Sequence, residues 1–113
     1  MKTLFIGTQK DKDGNPLNPV TVSRVILEIK REAARIFGGY SAGFVHGGWI
    51  DDKGQLIEET ALRLELSPKD ADSFKAYDFA AWCGNLLGQG CVLLVSTDSA
   101  ESFVESSPLV KVA

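Results

Sequence analysis

Residues 47–66 read GGWIDDKGQLIEETALRLEL, and this stretch decides the fold. Asp51-Asp52-Lys53-Gly54 is a hairpin turn with a glycine available for positive φ. From Leu56 to Leu66 apolar and polar residues alternate. Leu62, Leu64 and Leu66 face one way; Ala61, Arg63 and Glu65 face the other. Period two predicts a half-buried strand. Upstream, Ser41 to Ile50 alternates more loosely, with Phe44, His46 and Ile50 on one side and Val45 and Trp49 on the other. Gly43, Gly47 and Gly48 weaken that strand, because glycine inside a strand often marks a bulge or a close approach by a ligand or another backbone.

Helices flank the hairpin. Val22, Val25, Ile26, Ile29, Ala33, Ile36 and Phe37 recur at spacings of three and four, which predicts an amphipathic helix. Thr21 or Ser23 is expected to cap its start, and Gly38-Gly39 to end it. After the hairpin, Ser67-Pro68-Lys69-Asp70 has serine to cap, proline at the first helical position and aspartate facing the positive helix end. The second helix is expected to run to about Leu87, burying Phe74, Tyr77 and Ala81, with Trp82, Cys83 and Leu86 beside them. Leu4-Phe5-Ile6, stopped by Gly7, and Cys91 to Val95 read as further strands. The order strand, helix, strand, strand, helix, strand predicts an α+β, ferredoxin-like βαββαβ fold. Its sheet has four antiparallel strands with two helices on one face. Residues 1–97 form the domain, and 98–113 form an extended C-terminal tail that lies on an edge or a neighbour.

Composition narrows the function classes. The chain has 113 residues, 24% charged and 44% hydrophobic, with a net charge of −3. These values exclude a disordered chain, a coiled coil and a membrane span, and the acidic balance opposes nucleic-acid binding. Met1 to Gly7 holds only three consecutive apolar residues, short of the roughly seven of a signal peptide. A cytoplasmic protein is expected. Cys83 and Cys91 match neither a zinc spacing nor a redox Cys-x-x-Cys, and both are read as reduced packing residues.

Leu4-Phe5-Ile6-Gly7, then Gly48-Trp49-Ile50-Asp51 with Gly54, Leu56 and Glu59, then Gly88-Gln89 before Val92-Leu93, resembles the domain of unknown function 3574 family. The resemblance spans about Leu4 to Thr97. It implies an α+β fold of this kind and no particular activity.

Candidate chemistry is sparse. Asp11, Asp13 and Asn15 have the alternate spacing of calcium ligands, but Pro16 stands at the loop position that needs glycine and Val22 at the position that needs glutamate. A solvated turn is the better reading. His46 is the only histidine and no Gly-x-Ser-x-Gly elbow is present, so His46-Gly47-Gly48 supplies no oxyanion-hole chemistry. A dyad of His46 with Cys83 or Cys91 needs a proximity that sequence does not show. Glu58, Glu59 and Glu65 lie on the second hairpin strand; Glu59 and Glu65 share one face and could act as acid and base, but a solvated sheet face explains them more simply.

Tyr40, Phe44, His46, Trp49 and Arg63 are the candidate ligand or interface residues. The competing structural reading is a bulged edge strand with Trp49 packed beside the second helix. The sheet face without helices is expected to carry apolar residues such as Phe5 that a second copy would cover, giving a homodimer. The favoured expectation is a non-enzymatic protein-interaction or small-ligand-binding module acting as that homodimer. It needs no cofactor, metal, membrane or nucleic acid, and its partners are a second copy, another protein or a small molecule. The alternative is a small enzyme of the dimeric α/β-barrel type, with a pocket between sheet and helices near His46, Trp49 and Tyr40. A single-stranded RNA binder is the weakest reading, opposed by the acidic charge and by the absence of the aromatic and basic RNP pattern.

Overall fold

In a computed structural model, which describes residues 2–67, 73–96 and 101–105, the elements are β1 (Lys2–Gly7), α1 (Pro19–Phe37), β2 (Tyr40–Ile50), β3 (Leu56–Leu66), α2 (Ser73–Leu86), β4 (Cys91–Ser96) and β5 (Glu101–Glu105). The protein is α+β, and its element order through β4 is the expected one. The sheet differs from expectation. It has five antiparallel strands in the order β2-β3-β1-β4-β5, not four. The added strand lies within the stretch read as a tail. Val104 pairs with Val92 and is buried with it, so β5 covers the edge of β4 and extends the core. A five-residue strand with a glutamate at each end gave too little alternation to be read as one.

One parity of the strands makes the core. Leu4 stands between Leu64 and Leu94 across the sheet, and Ile6 opposes Leu62. All five side chains are buried. Both helices deliver their buried residues to the same cluster: Val22, Ile26, Ile29, Ala33, Ile36 and Phe37 from α1, and Ala76, Phe79, Ala80 and Cys83 from α2. The helices therefore share one face. Phe37 and Phe79 join them edge to face, with ring centroids 5.4 Å apart.

Three local expectations are corrected. The cap of α1 is Asn18, not Thr21 or Ser23. Its Oδ1 accepts from the Val20 and Thr21 amides at 2.9 and 3.3 Å, with Pro19 at the first helical position. Tyr77 is exposed. The buried face of α2 runs through Ala76 and Ala80, whose small side chains let the helix approach the sheet. The Phe74 side chain and three residues of the expected cap, Pro68, Lys69 and Asp70, lie outside the described residues. Finally, β2 has no bulge. Tyr40 to Ile50 pair residue for residue with Leu66 to Leu56, and Trp49 sits on the face away from both helices.

Two turns share one design. The Asp51 Oδ1 accepts from the Lys53 and Gln55 amides at 2.9 and 2.8 Å. The Asp11 Oδ1 accepts from Asp13 and Asn15, both at 2.9 Å. Gly54 and Gly14 take φ of 77° and 81°, a conformation only glycine adopts freely. Asp11 is thus engaged by its own loop, as a turn requires.

The end of β1 is clasped by Gln89. Its Nε2 donates to the carbonyls of Lys10 (2.6 Å) and Leu87 (3.1 Å), and its amide lies over Gly7. A Cβ on Gly7 would stand 2.9 Å from Gln89 Oε1, so an alanine there has to push the end of that side chain aside. Gly7→Ala is expected to lose about 1–2 kcal/mol in urea unfolding by displacing the amide from its carbonyls. Adding Gln89→Ala should lower the penalty of the alanine. A Gly7→Ala chain as stable as the parent contradicts the clasp. Asn18→Ala is expected to cost about 1 kcal/mol by the same measurement; no loss would remove Asn18 as the cap.

Candidate functional site

β1 pairs with β3 only from Ala61 to Leu66. Beyond that point β2 and β3 continue as a two-stranded arm, His46–Ile50 against Leu56–Thr60. The junction is tied by side chains. The Thr8 hydroxyl donates to the Thr60 carbonyl at 3.0 Å, and the Thr60 amide donates to Gln9 Oε1 at 2.8 Å. Thr8 and Gln9 thereby complete the ladder after β1 ends, and they fix the base of the arm.

The arm has two unlike faces. Residues directly opposed across the ladder share a face. The helix-side face carries Phe44, His46, Ile50, Leu56 and Glu58, with His46 Nε2 3.7 Å from Glu58 Oε1. Phe44, Ile50 and Leu56 are 61%, 63% and 62% exposed, since neither helix reaches over them. The open face carries Trp49 opposite Ile57, Gly47 opposite Glu59 and Val45 opposite Ala61. It continues over the sheet through Gly43, Arg63, Glu65 and Phe5.

Burial separates the polar groups of the open face. Arg63 and Glu65 form an ion pair. Glu59 is half-buried, and among the described residues it has no cation in salt-bridge contact. The glycines differ too. A Cβ on Gly48 would meet the Ile57 carbonyl at 3.0 Å, so the hairpin itself requires that glycine. A Cβ on Gly43 or Gly47 meets nothing within 4 Å, so no neighbour in the chain demands either one.

The five sequence candidates fall into two groups. Tyr40, Phe44 and His46 lie on the helix-side face of β2, and Trp49 and Arg63 on the open face. The expected pocket between sheet and helices does not gather them. That layer is filled by the core, and Tyr40, His46 and Trp49 are at the surface. The cysteine–histidine pairing is not formed either. Cys83 is fully buried, and burial pushes its thiol pKa well up. Cys91 begins β4, three strands from β2, which is about 14 Å across a sheet. Sequence parity put Glu59 on the open face; its half-burial was not readable. Thr8 and Gln9 were not singled out, because polar residues in a loop carry no periodicity; Gln89 stood in the quoted Gly88-Gln89 motif, but its bonds to the Lys10 and Leu87 carbonyls were not readable. Among the described residues no group of three His, Cys, Asp or Glu could hold a metal, and no helix is long and apolar enough to cross a membrane.

No family model matches the chain, and no curated protein matches it. Among solved structures it is similar to a phage SAM lyase in complex with S-methyl-5'-thioadenosine, at 16% identity and a TM-score of 0.59. That match covers 93% of this chain and 88% of the other. It is also similar to a phage SAM lyase in the apo state, at 17% identity and a TM-score of 0.50, covering 93% and 80%. At these identities the likeness is one of fold. It overturns the expectation of a non-enzymatic module, because the fold matched over nearly the whole chain is that of an enzyme in complex with a small molecule.

The two thiols should behave differently. In the folded protein a thiol reagent is expected to modify Cys91 alone, one equivalent per chain, with Cys83 reacting only on denaturation. Rapid modification of both in native buffer would contradict the burial of Cys83.

Proposed function

We propose that this chain is a small enzyme acting on a sulfonium nucleoside of the S-adenosylmethionine class, cleaving a carbon–sulfur bond as a lyase. The observation that carries the reading is the near-full-length likeness to the ligand-bound SAM lyase. The open face supplies suitable chemistry. A sulfonium is a cation, attracted to an indole face by about 0.5–2 kcal/mol, and Trp49 is a half-exposed indole on the arm. Glu59, on the neighbouring row, is the counter-charge. Arg63 offers a guanidinium to the substrate's carboxylate, in exchange with Glu65.

In the proposed step the carbon–sulfur bond breaks and its electron pair passes to sulfur. The sulfonium becomes a neutral thioether. The carbon fragment satisfies itself by closing on its own carboxylate or by losing a neighbouring proton, so neither water nor an oxidant is consumed. Glu59 is the group placed to face the substrate's positive charge and to hold that proton.

The architecture is read as ferredoxin-like, with β5 added beside β4, and membership of the domain of unknown function 3574 family is proposed on the residues quoted above. A second copy of the chain is the proposed partner. Nucleoside-sized ligands are usually 70–90% enclosed, and an arm exposed on both faces needs a neighbour to enclose one. Tyr40, Phe44 and His46 are assigned to that contact.

Incubation with S-adenosylmethionine should release S-methyl-5'-thioadenosine, followed by liquid chromatography. Glu59→Gln should lower kcat about 100-fold, and Trp49→Ala should raise KM for the sulfonium. A folded parent chain that forms no product and binds no S-methyl-5'-thioadenosine in calorimetry would overturn the proposal.

A further inference from the structure

Among the described residues β2 is an edge strand of 11 residues, and its sequence carries none of the usual protecting charges or prolines. Edge strands are normally blunted by lysine, proline, bulges or short length, because their free amides and carbonyls template pairing with another chain. From Tyr40 to Ile50 there is no lysine, no arginine, no carboxylate and no proline. The register is unbroken, and among the described residues no strand pairs on the outer side. The opposite edge, β5, is five residues long with Glu101 and Glu105 at its ends, the ordinary protected form.

The hydrogen bonds say which groups point outward. The Thr60 amide and carbonyl are taken by Gln9 and Thr8, on the β1 side. Thr60 is therefore in a non-hydrogen-bonded pair with His46, whose own amide and carbonyl face away from β3. The Ser67 amide bonds to the Gly39 carbonyl, and the Asp51 amide to the Gln55 carbonyl, so odd residues of this hairpin bond inward at both ends. Tyr40, Ala42, Phe44, His46, Gly48 and Ile50 thus present their backbone groups to the free edge.

We propose that this edge pairs with the same edge of a second copy, antiparallel, about a two-fold axis at Val45. This rests on the reading that a second copy is the partner, and it specifies how that copy binds. In that register Tyr40 meets Ile50, Ala42 meets Gly48 and Phe44 meets His46 of the other chain, so every outward backbone group finds a partner. The strand's lack of fixed charge makes it complementary to itself, since no like charges are brought together. A pairing of β2 with β5 would instead leave most of the 11-residue edge open and join copies head to tail, in a ring or a chain. On the open face Gly43 meets Gly47 of the other copy. On the helix side the exposed Phe44 and Ile50 gain cross-strand neighbours.

The test is site-directed cross-linking in a Cys91→Ser background, beside sedimentation equilibrium of the parent chain. The two-fold sets Val45 against its own copy in a non-hydrogen-bonded pair, with Cα atoms about 4.5 Å apart, within disulfide reach. Ser41 would stand opposite Trp49, about 26 Å from its own copy. The parent should sediment as a dimer. Val45→Cys should give a covalent dimer on mild oxidation, at least about ten times more than Ser41→Cys. A parent chain that is monomeric at every concentration overturns the second copy as partner, and the edge contact with it. A dimer in which the two cysteine variants cross-link equally overturns the edge contact and leaves the second copy standing.

Discussion

The register between β2 and β3 is the constraint from which the rest follows. A strand has a period of two, so a slip of one residue would exchange its faces. Here the Asp51 carboxylate, holding the Lys53 and Gln55 amides, fixes the turn, and the turn fixes every pair from Ile50–Leu56 to Tyr40–Leu66. With that register Leu62, Leu64 and Leu66 enter the core beneath the helices. The same parity sends Glu59, Arg63 and Trp49 to the other face. It also leaves the outer backbone of β2 unpaired. Core, open face and edge are three results of one turn.

Much of this was legible in the sequence, and the reason is periodicity. The hairpin and the buried face of α1 carry repeats of two and of three to four residues, and β1 and β4 stand out as short apolar runs. Where the repeat was short or broken by small residues, reading failed. β5 has only five residues, and of its described side chains Val104 is the buried one. The face of α2 is set by Ala76 and Ala80, and alanine gives a weak signal beside Tyr77. The Gly7–Gln89 clasp links residues 82 positions apart through one amide, which no local pattern announces. The candidate site was legible in parity and not in burial. Trp49, Arg63 and Glu59 could be placed on one face, but only the fold separates the paired Arg63 from the half-buried Glu59.

Function was the part read least well, for a chemical reason. A metal site or a nucleophile with its base leaves a dense cluster of characteristic residues. A site for a sulfonium needs only an aromatic face and a carboxylate, both ordinary on a sheet. The absence of a familiar constellation therefore pointed to a binding module, and the fold likeness to an enzyme corrected it. In the proposed account the arm carries both the face where the ligand lies and the edge where a second copy joins, so that copy's Gly43 and Ser41 come to lie beside Gly47 and Trp49 on the ligand's face.

The proposal stands or falls on whether the open face of the arm receives the nucleoside of the substrate. A two-dimensional amide NMR titration with S-methyl-5'-thioadenosine, the neutral thioether left after cleavage, measures that directly. The account requires shifts concentrated at Gly47, Trp49 and Glu59, with the indole proton of Trp49 among them. Shifts confined to the helices, or none at saturating ligand, would contradict it.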